Sequence, residues 1–122
     1  MKKEIENLDL ECIKGNLCDK ESGLNWDLEK ANHIEILYKS FLFIKFKYPN
    51  EKIIPTKDID CFWHYHILDT RKYMDDCNNI FGCYLHHFPY FGKRGEEDKK
   101  NLERCFKRTL FLVKKDFPEL IG

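Results

Sequence analysis

Between Ala31 and Tyr48 the apolar residues Ala31, Ile34, Leu37, Tyr38, Phe41, Ile44 and Tyr48 recur three or four apart, and the run stops at Pro49. That is the period of an amphipathic helix. The residue before a proline disfavours the α region, so the helix must end there. Asn25 stands at its start as a candidate N-cap. No segment of the chain offers the strict alternation that a half-buried strand requires.

The rest of the chain divides by its own start and stop signals. Lys52-Ile53-Ile54-Pro55 reads as an extended connector. Thr56 is placed to cap a second helix running through Leu68. Asp69 is placed to cap a third, in which Tyr73, Cys77, Ile80 and Phe81 share a face. Gly82 suits the left-handed residue that closes such a helix. Tyr84 to Gly92 is aromatic and contains Pro89, which predicts a packed loop. A last helix ends before Pro118, with Leu102, Cys105, Phe106, Thr109, Leu110, Val113 and Phe117 inward. Its charged residues, from Lys99 to Lys115, form a solvated face. Residues 1–24 hold two glycines and no long period, predicting a short helix and loop. The expected fold is therefore all-α: one compact, irregular helical bundle of about four main helices, with 25–118 as the helical core.

Composition sets the function classes. At 122 residues with 43% hydrophobic and 15% aromatic content, the chain can bury a core without staples. Its 21 basic and 21 acidic residues balance, whereas a nucleic-acid binder carries a basic face. No apolar run approaches a membrane span of about 20 residues. The charged start Met1-Lys2-Lys3-Glu4-Ile5-Glu6 lacks the apolar stretch of a signal peptide. These features predict a cytoplasmic protein that binds neither nucleic acid nor membrane. Its six cysteines, at 12, 18, 61, 77, 83 and 105, are then expected as reduced thiols. They form no C-x-x-C pair, which excludes a zinc ribbon on spacing.

Four of the five histidines, His64, His66, His86 and His87, fall within 24 residues. Imidazole is the commonest protein ligand for zinc, iron and copper. Two short elements each offering histidines could converge on one ion. On an ideal helix, however, residues two apart point about 200° apart. His64 and His66 can then share an ion only if the helix ends or bends. His66 falls with Ile59, Phe62 and Trp63 on the apolar face, and His64 with Asp60, Ile67 and Leu68. Asp60 and His64 are one turn apart and meet on the helix surface. Asp60 is placed to accept the Nδ1 proton of His64, as carboxylates behind metal-bound histidines do, or to be a ligand itself. Cys77 is a candidate ligand or nucleophile, against the plainer reading of a small buried hydrophobe. Trp63, Tyr73 and Phe88-Pro89-Tyr90-Phe91 could line an apolar pocket or simply fill the core.

The run from Ile54 to Tyr73, with its continuation through Asp76-Cys77, Phe81-Gly82 and Leu85-His86-His87-Phe88-Pro89-Tyr90-Phe91-Gly92, resembles the signature of the glycine-rich domain-containing protein-like family. The pattern is D-x-x-W-H-x-H-x-L-x4-Y-x2-D-C, matched at Asp60, Trp63, His64, His66, Tyr73 and Cys77. The likeness extends over about residues 24 to 104. Members occur as short bacterial proteins and, in plants, within longer chains that carry a glycine-rich segment. Six glycines in 122 residues make this chain similar to the short bacterial form. The resemblance implies little about activity.

Two functional expectations follow. One is a small metal-binding protein, acting on a small-molecule or peptide substrate as a hydrolytic or oxidative enzyme. In it His64, His66 and His86 or His87 hold zinc or iron, with copper as a further candidate, and Asp60 and Cys77 assist. The other is a non-enzymatic helical interaction module in which the histidines are structural.

Overall fold

The computed structural model describes residues 1–120. In chain order the helices are α1 (Lys3–Glu6), α2 (Glu11–Cys18), α3 (Leu28–Lys47), α4 (Lys57–Leu68), α5 (Thr70–Phe81) and α6 (Glu96–Asp116), followed by a 3-10 turn at Pro118–Leu120. No strand occurs among the described residues, and the all-α expectation holds. The long α3 is the spine, with α2 and α4 packed on it and on each other, and α5 folded back on α4.

Local chemistry sets most of these ends. Thr56 Oγ1 accepts from the Ile59 backbone N–H at 3.3 Å and starts α4. Gly82, at φ 73°, closes α5 in the left-handed conformation that costs glycine no steric penalty. α3 ends at Lys47, ahead of Pro49. Its start differs from the sequence expectation. Asp27 is the cap, accepting from Lys30 N–H at 2.7 Å, while Asn25 sits two residues earlier at φ 54°. Asp69 stands at the head of α5 but makes no capping bond through its side chain.

Residues 1–24 form more than a short helix and loop. Ile5, Leu10, Ile13 and Leu17 are each at most 1% exposed. Burying such a side chain stabilises by roughly 1.5–3 kcal/mol before ordering entropy, so this segment is a structural part of the core. Lys14 ties it to the spine, reaching Glu35 at 3.0 Å and Asn32 at 2.9 Å on α3. Sequence periodicity missed α2 because eight residues are too few to establish a helical period.

α6 turns its expected face inward, with Leu102, Cys105, Phe106, Val113 and Phe117 partly buried, except at one position. Thr109 and Leu112 are its buried residues, and Leu110 faces outward. Thr109 Oγ1 accepts from Ile54 N–H at 3.0 Å and donates to the Cys105 carbonyl at 2.8 Å, which ties the connector before α4 to this face of α6.

Candidate metal centre

Asp60 and His64 lie one turn apart on α4, and His87 reaches them from the loop after α5. His87 Nε2 is 2.6 Å from Asp60 Oδ1 and 3.1 Å from His64 Nε2. Asp60 Oδ2 is 3.7 Å from His64 Nε2. The three donor atoms all fall within 4.8 Å of one another, the group among the described residues that could hold a metal ion. Asp60 therefore faces the outer nitrogen of His64 and not Nδ1, which corrects the expected orientation. It stands where a ligand would, not behind one.

Proton bookkeeping gives this arrangement its chemical meaning. A neutral imidazole nitrogen is either a donor or an acceptor. If His87 Nε2–H donates to Asp60, it has no lone pair left for His64. If His87 Nε2 instead accepts from His64, it presents a lone pair to the Asp60 carboxylate. A cation among the three satisfies every lone pair at once. Around a tetrahedral zinc with bonds near 2.0–2.1 Å, donor atoms stand about 3.3 Å apart. The two imidazole nitrogens at 3.1 Å are close to that, while the 2.6 Å from His87 to Asp60 is hydrogen-bond spacing that would open on metal binding.

The centre is graded in exposure. The His87 side chain is 15% exposed, Asp60 34% and His64 52%. The His87 ring lies against Trp63, with centroids 4.2 Å apart, and Trp63 is itself buried. One side of the group is thus packed and the other open. It borders a cavity of about 740 Å³ whose wall includes Trp63, His86, Phe88 and Phe91.

A relay of hydrogen bonds delivers His87. Trp63 Nε1–H donates to the Tyr73 hydroxyl at 2.9 Å, and that hydroxyl donates to the Leu85 carbonyl at 2.6 Å. Leu85 is two residues before His87. The far end of the loop is held as well. Asp98 on α6 accepts from Gly92 N–H at 2.7 Å and from the Arg94 side chain at 2.9 Å. Gly92 sits at φ 87°, and a Cβ there would collide with the Leu102 side chain. The backbone thus approaches α6 more closely than another residue type would allow.

The other sequence candidates go elsewhere. His66 does not join the centre. It is 1% exposed, with Nδ1 2.7 Å from the Tyr38 hydroxyl and Nε2 2.8 Å from Asp76 Oδ2. Asp76 is an acceptor, so Nε2 carries the proton and Tyr38 donates to Nδ1. The helix does not bend, and His66 points inward as the 3.6-residue period requires. Burial alone would raise the Asp76 carboxyl, but hydrogen bonds from His66 and Lys72 outweigh it and hold the group below the usual carboxylate range. Burial pushes the Tyr38 hydroxyl far above its ordinary range. His86 is exposed and rests against Tyr84, with centroids 4.8 Å apart. Cys77 is 3% exposed, and burial raises its thiol against the lowering effect of bonds to Leu85 and Tyr73. It is a protonated core residue, not a thiolate. Tyr38, the partner of His66 from 28 residues upstream, escaped sequence reasoning because its spacing marks it only as a core position.

Fold and site together define a class: an all-α protein with a histidine–aspartate group at the rim of a cavity. The chain belongs to the UCP032817-like family, whose sequence profile matches residues 11–112. It is also similar to Glycine-rich domain-containing protein 1 of Arabidopsis thaliana, 27% identical over 133 aligned positions. That match covers 87% of this chain and 16% of the plant protein, so the chain spans about a sixth of its relative's length. No solved structure matches.

Proposed function

We propose that this chain binds one divalent transition metal ion, zinc or iron, through Asp60, His64 and His87, with open positions facing the adjoining cavity. The observation that carries this reading is the approach of two imidazole nitrogens to 3.1 Å beside a carboxylate oxygen 2.6 Å from one of them. Without an ion, one His87 Nε2–H must be shared between the Asp60 carboxylate and the His64 lone pair, whereas a cation would accept a lone pair from all three. Two imidazoles and a carboxylate on one side of an ion suit hydrolytic zinc sites and non-haem iron(II) sites alike. Water or dioxygen would be activated at the open positions, and a small-molecule or peptide substrate would occupy the cavity.

The test is metal analysis of untagged protein, followed by titration of the stripped protein with zinc, iron(II) and cobalt(II), the last as a visible-absorption probe. One equivalent should bind to the wild type and to H86A. H64A and H87A should lose tight uptake. No stoichiometric uptake by the wild type of any of these ions or of copper, or unchanged uptake by an H64A/H87A double variant, would overturn the assignment.

A further inference from the structure

Lys45 is a half-buried cation on the cavity wall, and like Lys52, Lys57 and Lys93 beside it, it forms no ion pair among the described residues. It projects from the last turn of α3 into the wall of the same cavity that Asp60 and His87 border. Among the described residues no carboxylate lies within ion-pair distance of its ammonium, whereas Lys14, Lys30, Lys39, Lys47 and Lys72 all have one. Its neighbours are aromatic. Nζ stands 5.3 Å from the Trp63 ring centre and 5.4 Å from that of Phe41. Rings in that position recover part of the lost hydration by cation–π attraction, but not all of it. Burial holds the Lys45 ammonium below the ordinary lysine range.

The surroundings reinforce the charge. The cavity wall carries Lys45, Lys52, Lys57, Lys93 and Arg94 against two carboxylates, Glu51 and Asp60. Glu51 is engaged by Arg108 at 3.0 Å, and Asp60 belongs to the metal centre. Arg94 is engaged by Asp98 at 2.9 Å. What remains is a positively biased recess with an apolar lining of Trp63, Phe88 and Phe91. Its volume of about 740 Å³ falls in the range of pockets for small organic ligands. Trp63 is the common wall, carrying His87 at 4.2 Å and the Lys45 ammonium at 5.3 Å.

We infer that Lys45 is the anchor of an anion subsite: the cavity takes a small organic anion, its carboxylate or phosphate at Lys45 and its apolar body along Trp63, Phe88 and Phe91. A ligand so held extends toward Asp60 and His87, which line the same cavity. As the substrate class of the metal centre, this rests on the preceding proposal. As a binding site, it stands without the metal.

The experiment uses metal-free full-length protein and follows the Trp63 indole N–H by NMR during titration with phenyl phosphate, phenylacetate and neutral benzyl alcohol. The two anions should shift that resonance saturably, and benzyl alcohol should bind far more weakly. K45M should weaken anion binding by roughly tenfold to a hundredfold, the worth of one charge-assisted hydrogen bond. K45R should recover most of it. Tighter binding of phenyl phosphate marks a phosphoryl headgroup, and tighter binding of phenylacetate marks a carboxylate. If K45M does not fold, K45Q serves for the same comparison. Equal affinity for benzyl alcohol and the anions, no response to either anion, or undiminished anion binding in the Lys45 variant would overturn the inference. Zinc uptake by K45M, measured in parallel, separates the two proposals. Metal uptake without anion binding removes the subsite alone, and anion binding without metal uptake removes the metal centre alone.

Discussion

The Tyr73 hydroxyl donates to the Leu85 carbonyl at 2.6 Å while accepting from Trp63 Nε1–H at 2.9 Å. This single oxygen links α4, α5 and the loop that carries His87. Three residues of the family-like signature region, Trp63, Tyr73 and Leu85, therefore act on the candidate centre without belonging to it. Tyr73 is a positioning residue for His87.

Y73F removes that oxygen and strands two buried groups, each costing about 1–3 kcal/mol. Urea unfolding should show the loss of stability. Cobalt(II) affinity should fall as well, because His87 is no longer held in register. I80V supplies the control. It trims a buried α5 residue that is 2% exposed at a cost of about 0.5–1.5 kcal/mol, and should leave cobalt binding intact. Equal cobalt affinity in Y73F and wild type would show that the relay supports the fold alone.

His64 and His66, two residues apart, should respond oppositely to substitution. H66A strips partners from Tyr38 and Asp76 in the interior. Each buried group left short of a partner costs about 1–3 kcal/mol, more for the charged carboxylate. H64A removes a side chain that is 52% exposed, and such surface changes stay within about 0.5 kcal/mol. Thermal melts of the two metal-free variants check this directly. A large loss of stability in H64A, or none in H66A, would contradict the assigned environments.

Acid should weaken the fold partly through Asp76. Its carboxyl is depressed in the folded state, so the unfolded chain takes up its proton first as pH falls. The stabilisation is fully present above the ordinary carboxylate value of 3.8 and is lost as pH drops through the lower folded value. The gap in unfolding midpoint between wild type and D76N should accordingly be widest near neutral pH and close toward about pH 2. A gap independent of pH would mean that the carboxylate charge contributes nothing.

Much of the fold was legible in the residues. Pro49, Thr56 and Gly82 mark boundaries through local steric and hydrogen-bonding rules, which need no tertiary partner. The inward face of α4 was equally readable, because a 3.6-residue period assigns His66 to the core and His64 to the surface. The start of α3 was misplaced by two residues, since Asn25 and Asp27 are both good caps and only the chain path selects between them. The inward face of α6 was readable except that Leu112, not Leu110, is buried. What stayed hidden was the Thr109 hydroxyl meeting the Ile54 backbone, a contact across 55 residues.

The candidate centre divides along the same line. Asp60 and His64 belong together by helical spacing alone, and the sequence determined that pair because four residues make one turn. Whether His86 or His87 completes it was decided only by the tertiary structure. Adjacent loop residues face different ways, and Tyr73 fixes the loop at Leu85 so that His87 turns onto Trp63 while His86 remains on the surface. Lys45 was one more charge on a helix until the fold set it among aromatic rings with no carboxylate beside it. Local periodicity can say which face a residue takes, but not which residues from distant segments will share that face.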